Sequence, residues 1–279
     1  MNRPLSETLA EHAAEVDKML TMLEDILPES KVVGEAPHRD TWIVRFLVGQ
    51  KFNAEAAAEK FRKMLKMRVK NKVDDIRSKF ENGMKPSEIP GFKEHFECCK
   101  ATFHLQSGDA KDGSPINIQQ VARWDYDAYD KLPEEAEDQF QLWHYEYQFF
   151  LLDQLSLKTG MLHGFLKVID LIDSAWEHRE RMSHMHAAQI TRGERVGAAG
   201  AAISLPECYP ENTSKIRVLN APMIATALWW IAKTFLPART QEEIQIVGAA
   251  GVAEEMLTLV HPHVLPKEYG GEFEGKFLM

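Results

Sequence analysis

Histidine and serine are residue types in this sequence that could ligate a metal or act in catalysis. Three histidines, His178, His184 and His186, fall within the run HRERMSHMH. Zinc sites space their ligands as HExxH or as paired Cys and His motifs, and the sequence contains neither pattern. His184 and His186 are two residues apart, so on a helix they would point to different faces. Since no GxSxG nucleophile motif occurs either, we predict no bound metal, no catalytic residue and no cofactor.

A glycine turn in the run IQIVGAAGVAEEML could contact the phosphates of a nucleotide. The turn contains Gly248 and Gly251, whereas a dinucleotide fingerprint has three glycines, GxGxxG, and further strands after its helix. The remaining chain is short and is interrupted by Pro262 and Pro266. The pattern favours the end of a strand and the start of a helix, packed through small residues. A nucleotide-dependent enzyme is kept as an alternative, which nucleotide-binding calorimetry would test.

An unusually apolar stretch, from Ala221 to Thr240, could meet a ligand or a membrane. Between its two prolines it carries one charge, Lys233. As a helix it would be apolar on nearly every face, which is typical of a central core helix. It also suits a helix with a ligand on one side and a membrane on the other, because Trp229 and Trp230 favour the membrane interface. A third alternative is a protein-interaction module, in which this helix docks a partner chain and any cavity is vestigial.

The stretch from Lys60 to Lys72 places seven cations on a predicted amphipathic helix. Such a helix could lie on an anionic membrane, where each cation contributes about 1 kcal/mol. Globular helices usually have a charged outer face as well. We favour a helix that packs on the core and exposes its cations to solvent.

Composition excludes several classes of function. The chain has 279 residues, and 33 basic against 42 acidic residues give a net charge of −9, which disfavours nucleic acid as a partner. The three cysteines show no CxxC spacing, and the run MNRPLSETLAEHAAEVDK lacks the apolar core of a signal peptide. No apolar stretch reaches the roughly 20 residues that span a bilayer. We expect a cytoplasmic location with, at most, peripheral membrane contact.

Helical periodicity dominates the beginning of the chain. Apolar residues three and four apart predict one helix over residues 5–27. Asp40 and Asn53 are predicted to cap the next two helices, of which the first ends at Gly49 and the second runs through Ile76. Prolines and glycines in residues 82–91 predict a linker. We therefore divide the chain into a helical N-terminal domain, residues 1–90, and a second domain, residues 91–279.

The second domain mixes strands and helices. Residues 101–105 and 115–121 flank a Gly/Asp/Ser turn and predict a hairpin. A long helix is predicted between Pro133 and Gly160, and its apolar composition indicates burial on more than one side. Three further β-rich runs, FLKVIDLI, KIRVLNA and EIQIVG, are separated widely enough for parallel pairing. The predicted fold class is mixed α/β, with about five mostly parallel strands covered by helices.

Three blocks of the sequence resemble the CRAL-TRIO lipid-binding family, which includes phosphatidylinositol transfer proteins and carriers of tocopherol and retinaldehyde. The first block holds Arg-Phe-Leu at 45–47 and Lys-Phe at 51–52. The second, CYPENTSKIRVLNAPMIATALWWIAKTFLPART, holds Tyr-Pro-Glu at 209–211 and Asn-Ala-Pro at 220–222, followed by Lys233, Phe235, Leu236 and Thr240. The third holds Leu265, Pro266, Tyr269, Gly270 and Gly271. The resemblance covers most of the chain, from about residue 40 to residue 271.

The resemblance implies a lipid cavity above a sheet floor, closed by a mobile gate helix at about residues 222–235. Alternate residues of FLKVIDLI face opposite sides of a strand, so Phe165, Lys167 and Ile169 share one face. By resemblance that face lines the cavity, with Lys167 as the polar anchor. The implied function is a lipid carrier, not an enzyme, that exchanges a hydrophobic ligand during transient contact with membranes. The implied ligand-binding residues are Phe165, Lys167, Ile169, Glu211, Ile224, Leu228, Trp229, Ile231, Phe235 and Thr240.

The head-group positions depart from those of the family. Members that bind phosphatidylinositol hold its head group with two basic residues and a glutamate, and the matching residues here are Gln50, Glu243 and Glu211. Two cations are therefore missing, and an anion replaces one of them. The hydroxyl groups that bind phosphatidylcholine correspond to Phe165 and Lys167. The sequence thus implies a carrier and leaves the identity of its ligand open.

Overall fold

The computed structural model describes residues 4–99, 102–105, 110–182, 184, 205–223 and 243–274. The chain forms two compact units. The first contains Met1–His95, Lys131–His163 and His184–Asn212, and the second contains Phe96–Asp130, Gly164–Ser183 and Thr213–Met279. The first unit thus combines segments from both sides of residue 90, and the division of the chain into two domains at that residue stays a prediction.

Two short helices take the place of the single helix predicted over residues 5–27. Helix α1 is Leu5–Glu11 and helix α2 is Ala13–Leu23. They are separated at His12, whose φ of −115° and ψ of 31° are not helical. The ring of His12 stacks on Phe52, with ring centroids 3.5 Å apart. The apolar spacing continues through His12, so periodicity alone could not predict this break, which coincides with a tertiary contact.

Helices α3 to α5 follow in the first unit, as His38–Gly49, Ala54–Lys70 and Val73–Glu81. The predicted cap at Asn53 is confirmed, because its side-chain oxygen accepts a 2.9 Å hydrogen bond from the backbone N–H of Ala56. The predicted cap at Asp40 is wrong: α3 begins two residues earlier, and Asp40 lies in its first turn, where a carboxylate still favours the positive end of the helix. The helix predicted through Ile76 is divided at Lys72, which adopts the left-handed conformation.

The helices that follow include α8, Glu134–Thr159, which agrees with the helix predicted between Pro133 and Gly160. Gly160 closes this helix in the left-handed conformation that glycine adopts readily. No helix within the described part of the chain is both long enough and apolar enough to cross a bilayer. Besides α1 to α5 and α8, the described chain contains the helices α6 Phe92–Cys98, α7 Tyr126–Tyr129, α9 at 176–182, α10 Leu205–Cys208 and α11 Val252–Leu259.

A five-stranded sheet forms the centre of the second unit. Its strands lie in chain order: β1 pairs with β2 in antiparallel fashion, and the pairs β2–β3, β3–β4 and β4–β5 are parallel. The mixed α/β class predicted from the sequence is therefore confirmed. The strands are β1 Thr102–Leu105, β2 Ile116–Gln120, β3 Phe165–Asp170, β4 Thr213–Leu219 and β5 Ile244–Ile246.

One face of this sheet, which we call the covered face, packs into a core with α11 and the chain that follows it. Leu166 and Val168 of β3 are at most 1% exposed, and Val252 and Met256 belong to the same buried cluster. β5 ends at Ile246 and α11 begins at Val252, so the glycine turn joins a strand to a helix, as the sequence favours. The other members of this core are Ala110, Ile116, Ile118, Leu219, Val247, Val260, Leu265 and Tyr269.

Candidate functional site

The opposite face of the sheet, which we call the open face, carries a group of residues that stay partly exposed, although Asn117 and Phe165 on the same face are buried. The strand register places Lys167 beside Ile216, and Ile216 beside Ile244. One step further along the strands, Gln119, Ile169, Val218 and Ile246 form a second row. Large aliphatic side chains on a central sheet are normally buried. The open face therefore offers an apolar surface on which an apolar ligand could lie. Its partly exposed residues are Gln119, Lys167, Ile169, Ile216, Val218, Ile244 and Ile246.

Polar and apolar residues occupy different sides of the open face. Asn117 and Gln119 of β2 stand in register with Lys167 and Ile169 of β3. At and beyond the position of Lys167, the open-face residues of β4 and β5 are aliphatic, whereas β4 begins with the polar residues Thr213 and Ser214. The aliphatic residues are Ile216, Val218, Ile244 and Ile246. Lys167 thus stands at the boundary between a polar strand and two aliphatic strands. Such a surface matches an amphiphile, with its polar end near β2 and its chain over β4 and β5.

Lys167 is the charged residue at this boundary. It forms no hydrogen bond or ion pair with any residue in the described ranges. Burial lowers the pKa of its ammonium group to about 8, because loss of water disfavours the charged form. A lysine in this state can bind a negatively charged ligand, which would restore the favourable environment that water provided.

The structure brings together three of the predicted site residues. Phe165, Lys167 and Ile169 share β3, where Phe165 is buried and the other two are partly exposed. Glu211 belongs to the first unit and has a φ of 60°. A site made by all the predicted residues stays a prediction, because the remaining six lie outside the described residues: Ile224, Leu228, Trp229, Ile231, Phe235 and Thr240.

Two blocks of the family resemblance meet in the first unit at Arg45, which is fully buried. Its Nη1 donates a 2.8 Å hydrogen bond to the carbonyl oxygen of Glu211, and its Nη2 donates one of 2.8 Å to the carbonyl oxygen of His163. Burial lowers the pKa of Arg45, and the carboxylates of Asp153 and Glu211 act in the opposite direction. The arginine of the first block therefore fixes the backbone of the Tyr-Pro-Glu segment.

Within this unit, the side chain of Glu211 lies near Gly49, the residue that precedes Gln50 in the chain. A β-carbon placed on Gly49, next to Gln50 in the chain, would lie 3.7 Å from Oε1 of Glu211. The Gln50 amide donates a 3.0 Å hydrogen bond to the carbonyl oxygen of Gly49. Gln50 is neutral where the resemblance implies a basic residue, so it supplies no charge that could pair with an anionic head group.

A buried network of charges holds the helices of the first unit together, and sequence reasoning missed it. Nη1 of Arg68 donates a 2.8 Å hydrogen bond to Glu146 of α8, and the hydroxyl group of Tyr209 donates one of 2.9 Å to the same carboxylate. Arg77 donates to Asp153, which also accepts a 2.9 Å bond from the indole N–H of Trp42. Glu146 and Asp153 are seven residues apart on one face of α8, a spacing that could have signalled two buried acids.

Asp170, at the end of β3, links two blocks of the resemblance in the second unit. It is 1% exposed, and its Oδ1 accepts a 2.7 Å hydrogen bond from the amide of Asn220. Its Oδ2 accepts a 2.8 Å bond from the hydroxyl group of Tyr269. Burial and the neighbouring Asp170 carboxylate raise the pKa of Tyr269, so this hydroxyl group stays a donor. Asp170 thus fixes the Asn-Ala-Pro segment with which the predicted gate helix begins.

Gly271 must be a glycine because the chain packs closely around it. A β-carbon on Gly271 would lie 1.9 Å from the carbonyl oxygen of Leu265 and 2.6 Å from its Cβ. Gly270 has a φ of 88°, which residues with a side chain rarely adopt. These contacts explain why the third block ends in two glycines.

The histidines and the basic helix show no sign of a second site within the described chain. The described residues contain no group of three or more His, Cys, Asp or Glu side chains that could hold a metal. His178 stacks on Tyr126, with ring centroids 6.2 Å apart, and His186 lies outside the described residues. In the basic stretch, Arg62 pairs with Asp25, and Arg68 is buried. The Arg62–Asp25 pair and the burial of Arg68 agree with a helix that packs on the core. Further pairs join Lys60 to Glu207 and Lys63 to Glu59.

These features define an α/β protein whose sheet is covered on one face and presents a partly exposed amphipathic surface on the other. A family model described as CRAL/TRIO domain matches residues 105–271, which include every strand from β2 to β5 and the Tyr-Pro-Glu segment. The chain therefore belongs to the CRAL/TRIO domain family.

Relatives and a solved structure agree with this assignment. The chain is 24% identical to Patellin-4 of Arabidopsis thaliana over 237 residues, and 25% identical over 274 residues to the phosphatidylinositol/phosphatidylcholine transfer protein SFH11 of the same plant. It is 26% identical over 236 residues to the SEC14 cytosolic factor of Eremothecium gossypii. These matches cover 85%, 97% and 84% of this chain, but 38%, 65% and 69% of the respective relatives. The crystal structure of Sfh5 superposes with a TM-score of 0.58 over 99% of this chain and 91% of that one, at 12% identity, and so shows a shared fold.

Proposed function

We propose that this protein is a carrier that shelters a hydrophobic lipid from water and exchanges it at membranes. Each methylene group removed from water contributes about 0.8 kcal/mol, so a 16-carbon chain exposed to solvent costs on the order of 10 kcal/mol. The open face, with its partly exposed isoleucines and valine, supports this function because it is an apolar surface on which part of a hydrocarbon chain could lie. Relatives whose names describe phospholipid transfer support the same conclusion.

In this proposal the helix predicted at residues 222–235 closes the cavity and opens against a membrane. The gain from contact between its apolar residues and the acyl chains would offset the cost of opening. Met223, at the start of this segment, is 88% exposed, as expected for a residue that meets a membrane. The ligand would contact Phe165, Lys167 and Ile169 on the sheet, and the cavity would be completed by the remaining predicted residues: Glu211, Ile224, Leu228, Trp229, Ile231, Phe235 and Thr240.

The carrier would work in the cytoplasm, with transient peripheral contact to membranes and no role for nucleic acid. Exchange makes and breaks no covalent bond, so the proposal assigns no catalytic residue and no cofactor. The missing cations at Gln50 and Glu243 argue against a phosphoinositide head group.

The first experiment identifies the bound lipid. We expect mass spectrometry of an organic extract from gently purified protein to find one lipid class in near-stoichiometric amount, and we expect the lipid-loaded protein to deliver it to acceptor vesicles. Calorimetry with nucleotides serves as the control and should show no saturable binding. A protein that takes up no amphiphile, or that binds a nucleotide instead, would contradict the proposal.

A second experiment tests the membrane contact. We expect Met223→Arg to slow transfer to phosphatidylcholine vesicles about threefold, because a charged residue at a membrane interface costs roughly 0–1 kcal/mol. The amount of bound lipid should not change, since the substitution adds a charge at an exposed position. Val69→Arg is the matched control, because Val69 is a 48% exposed apolar residue of α4. If the two variants transferred lipid at equal rates, Met223 would not be part of the membrane contact.

A further inference from the structure

Lys167 differs from the other cations of the sheet in having no counter-charge in the described structure. On the covered face, Lys215 pairs with Asp112 at 2.6 Å, and Arg217 pairs with Glu255. A partly buried ammonium group without a partner is unfavourable, because its lost hydration is not replaced. Its neighbours in register, Asn117 and Ile216, are both uncharged. The missing counter-charge is therefore a group that a ligand can supply.

The surroundings of Lys167 also indicate how such a ligand would be oriented. Gln119 and Asn117 give β2 a polar character, whereas the open-face residues of β4 and β5 at and beyond the position of Lys167 are aliphatic; the polar residues Thr213 and Ser214 lie at the start of β4, on the other side of Lys167. Neighbouring strands are about 4.8 Å apart, so roughly 10 Å of aliphatic surface extends from Lys167 to β5. A head group at Lys167 can thus reach toward the partly exposed Gln119 of β2 while its chain crosses Ile216 and Ile244.

We propose that the open face selects an amphiphile with one acidic head group, a carboxylate or a phosphate, which pairs with Lys167 while its hydrocarbon chain lies across β4 and β5. The inference rests on the proposed carrier function and specifies its class of ligand. A neutral amphiphile of the same length would cover the same aliphatic surface and leave the ammonium group without a partner. The pair with Lys167 is therefore the source of selectivity, and the aliphatic strands supply affinity for any chain.

The test compares a fluorescent 18-carbon fatty acid, cis-parinaric acid, with its methyl ester, using delipidated full-length protein. We expect the acid to bind at least tenfold more tightly than the ester. Lys167→Met should abolish this difference, and Lys167→Arg, which keeps the charge, should retain it. Lys215→Met is the matched control, because Lys215 lies on the covered face of the neighbouring strand. Competition with hexadecanoic acid and with hexadecyl phosphate then distinguishes carboxylate from phosphate.

The pH dependence gives an independent measurement. At the described positions of β2 to β5, the open face carries no titratable side chain other than Lys167. The backbone of His104 in β1 stands in register with Asn117, two strands from Lys167. With a pKa of about 8, Lys167 is mostly charged at pH 7 and mostly neutral at pH 9. The affinity for the acid should fall about tenfold over this range, and that of Lys167→Arg should not.

The outcomes separate the inference from the proposed function. Equal affinity for acid and ester in the unaltered protein, or an unchanged preference in Lys167→Met, would overturn the role of Lys167 and leave the carrier intact. If the protein bound neither the acid nor the ester, nor any lipid from vesicles, both the inference and the carrier function would be wrong.

Discussion

Glu146→Gln is expected to lower the free energy of unfolding by about 3–5 kcal/mol, the usual cost of breaking a buried ion pair. Glu146 is fully buried; its carboxylate accepts hydrogen bonds from Arg68 and Tyr209, and it lies 3.4 Å from Nε of Arg77. The amide that replaces it keeps the shape of the side chain but removes the charge that two buried guanidinium groups face. Urea unfolding followed by circular dichroism would measure the loss.

A surface pair of a glutamate and a basic residue provides the control. Glu59 is 68% exposed and pairs with Lys63 one turn further along α4. Exposed pairs of this kind contribute little, so we expect Glu59→Gln to leave the free energy of unfolding nearly unchanged. If Glu146→Gln changed stability as little as Glu59→Gln does, the buried network would not hold the helices of the first unit together.

The long helix α8 shows how far the sequence alone predicts the fold. Pro133 and Gly160 set its bounds, and its apolar composition indicated burial, which Phe149 and Leu152 confirm with no exposed surface. The partners of its acids could not be predicted in the same way. Glu146 is separated from Arg68 by 78 positions, so their pairing depends on how α4 packs on α8. Local patterns carry no information about such a contact.

In the candidate site, too, local patterns predict some features, and contacts between distant residues decide the others. Alternation along β3 predicts that Phe165, Lys167 and Ile169 share a face, and the partial exposure of Lys167 and Ile169 beside the buried Leu166 and Val168 agrees with this for those two residues. Alternation does not predict which face is covered, since Leu166 and Val168 on the other face are equally apolar. Which face is covered depends on how α11 and the chain around Tyr269 pack on the sheet. This packing brings together residues about 100 positions apart, such as Asp170 and Tyr269.

Lys167→Met is expected to stabilise the delipidated protein, by about 2 kcal/mol at pH 7. Burial lowers the pKa of Lys167 to about 8 in the folded protein, and an unfolded chain gives lysine its ordinary pKa of about 10.4. Below pH 8 both states carry the proton, so the full cost of burying the charge is present. The shift corresponds to about 3 kcal/mol, and partial exposure of the side chain reduces this figure. Urea unfolding of both proteins after lipid removal would measure the difference.

The dependence on pH identifies the cause of this stabilisation. Between pH 8 and about 10.4 the unfolded state binds more protons than the folded state, so the stability of the unaltered protein rises with pH and approaches that of Lys167→Met. Lys215→Met should behave differently, because Lys215 has a partner. Although burial acts in the opposite direction, hydrogen bonds from Lys215 and Ser114 lower the pKa of Asp112 to about 2. Loss of that pair should destabilise the protein slightly. Two results would contradict this prediction: a Lys167→Met protein less stable than the unaltered one, or a difference in the free energy of unfolding that stayed constant up to pH 10.5. Either would mean that Lys167 already has a counter-charge in the absence of ligand. An acidic head group would then have no unpaired ammonium group to bind.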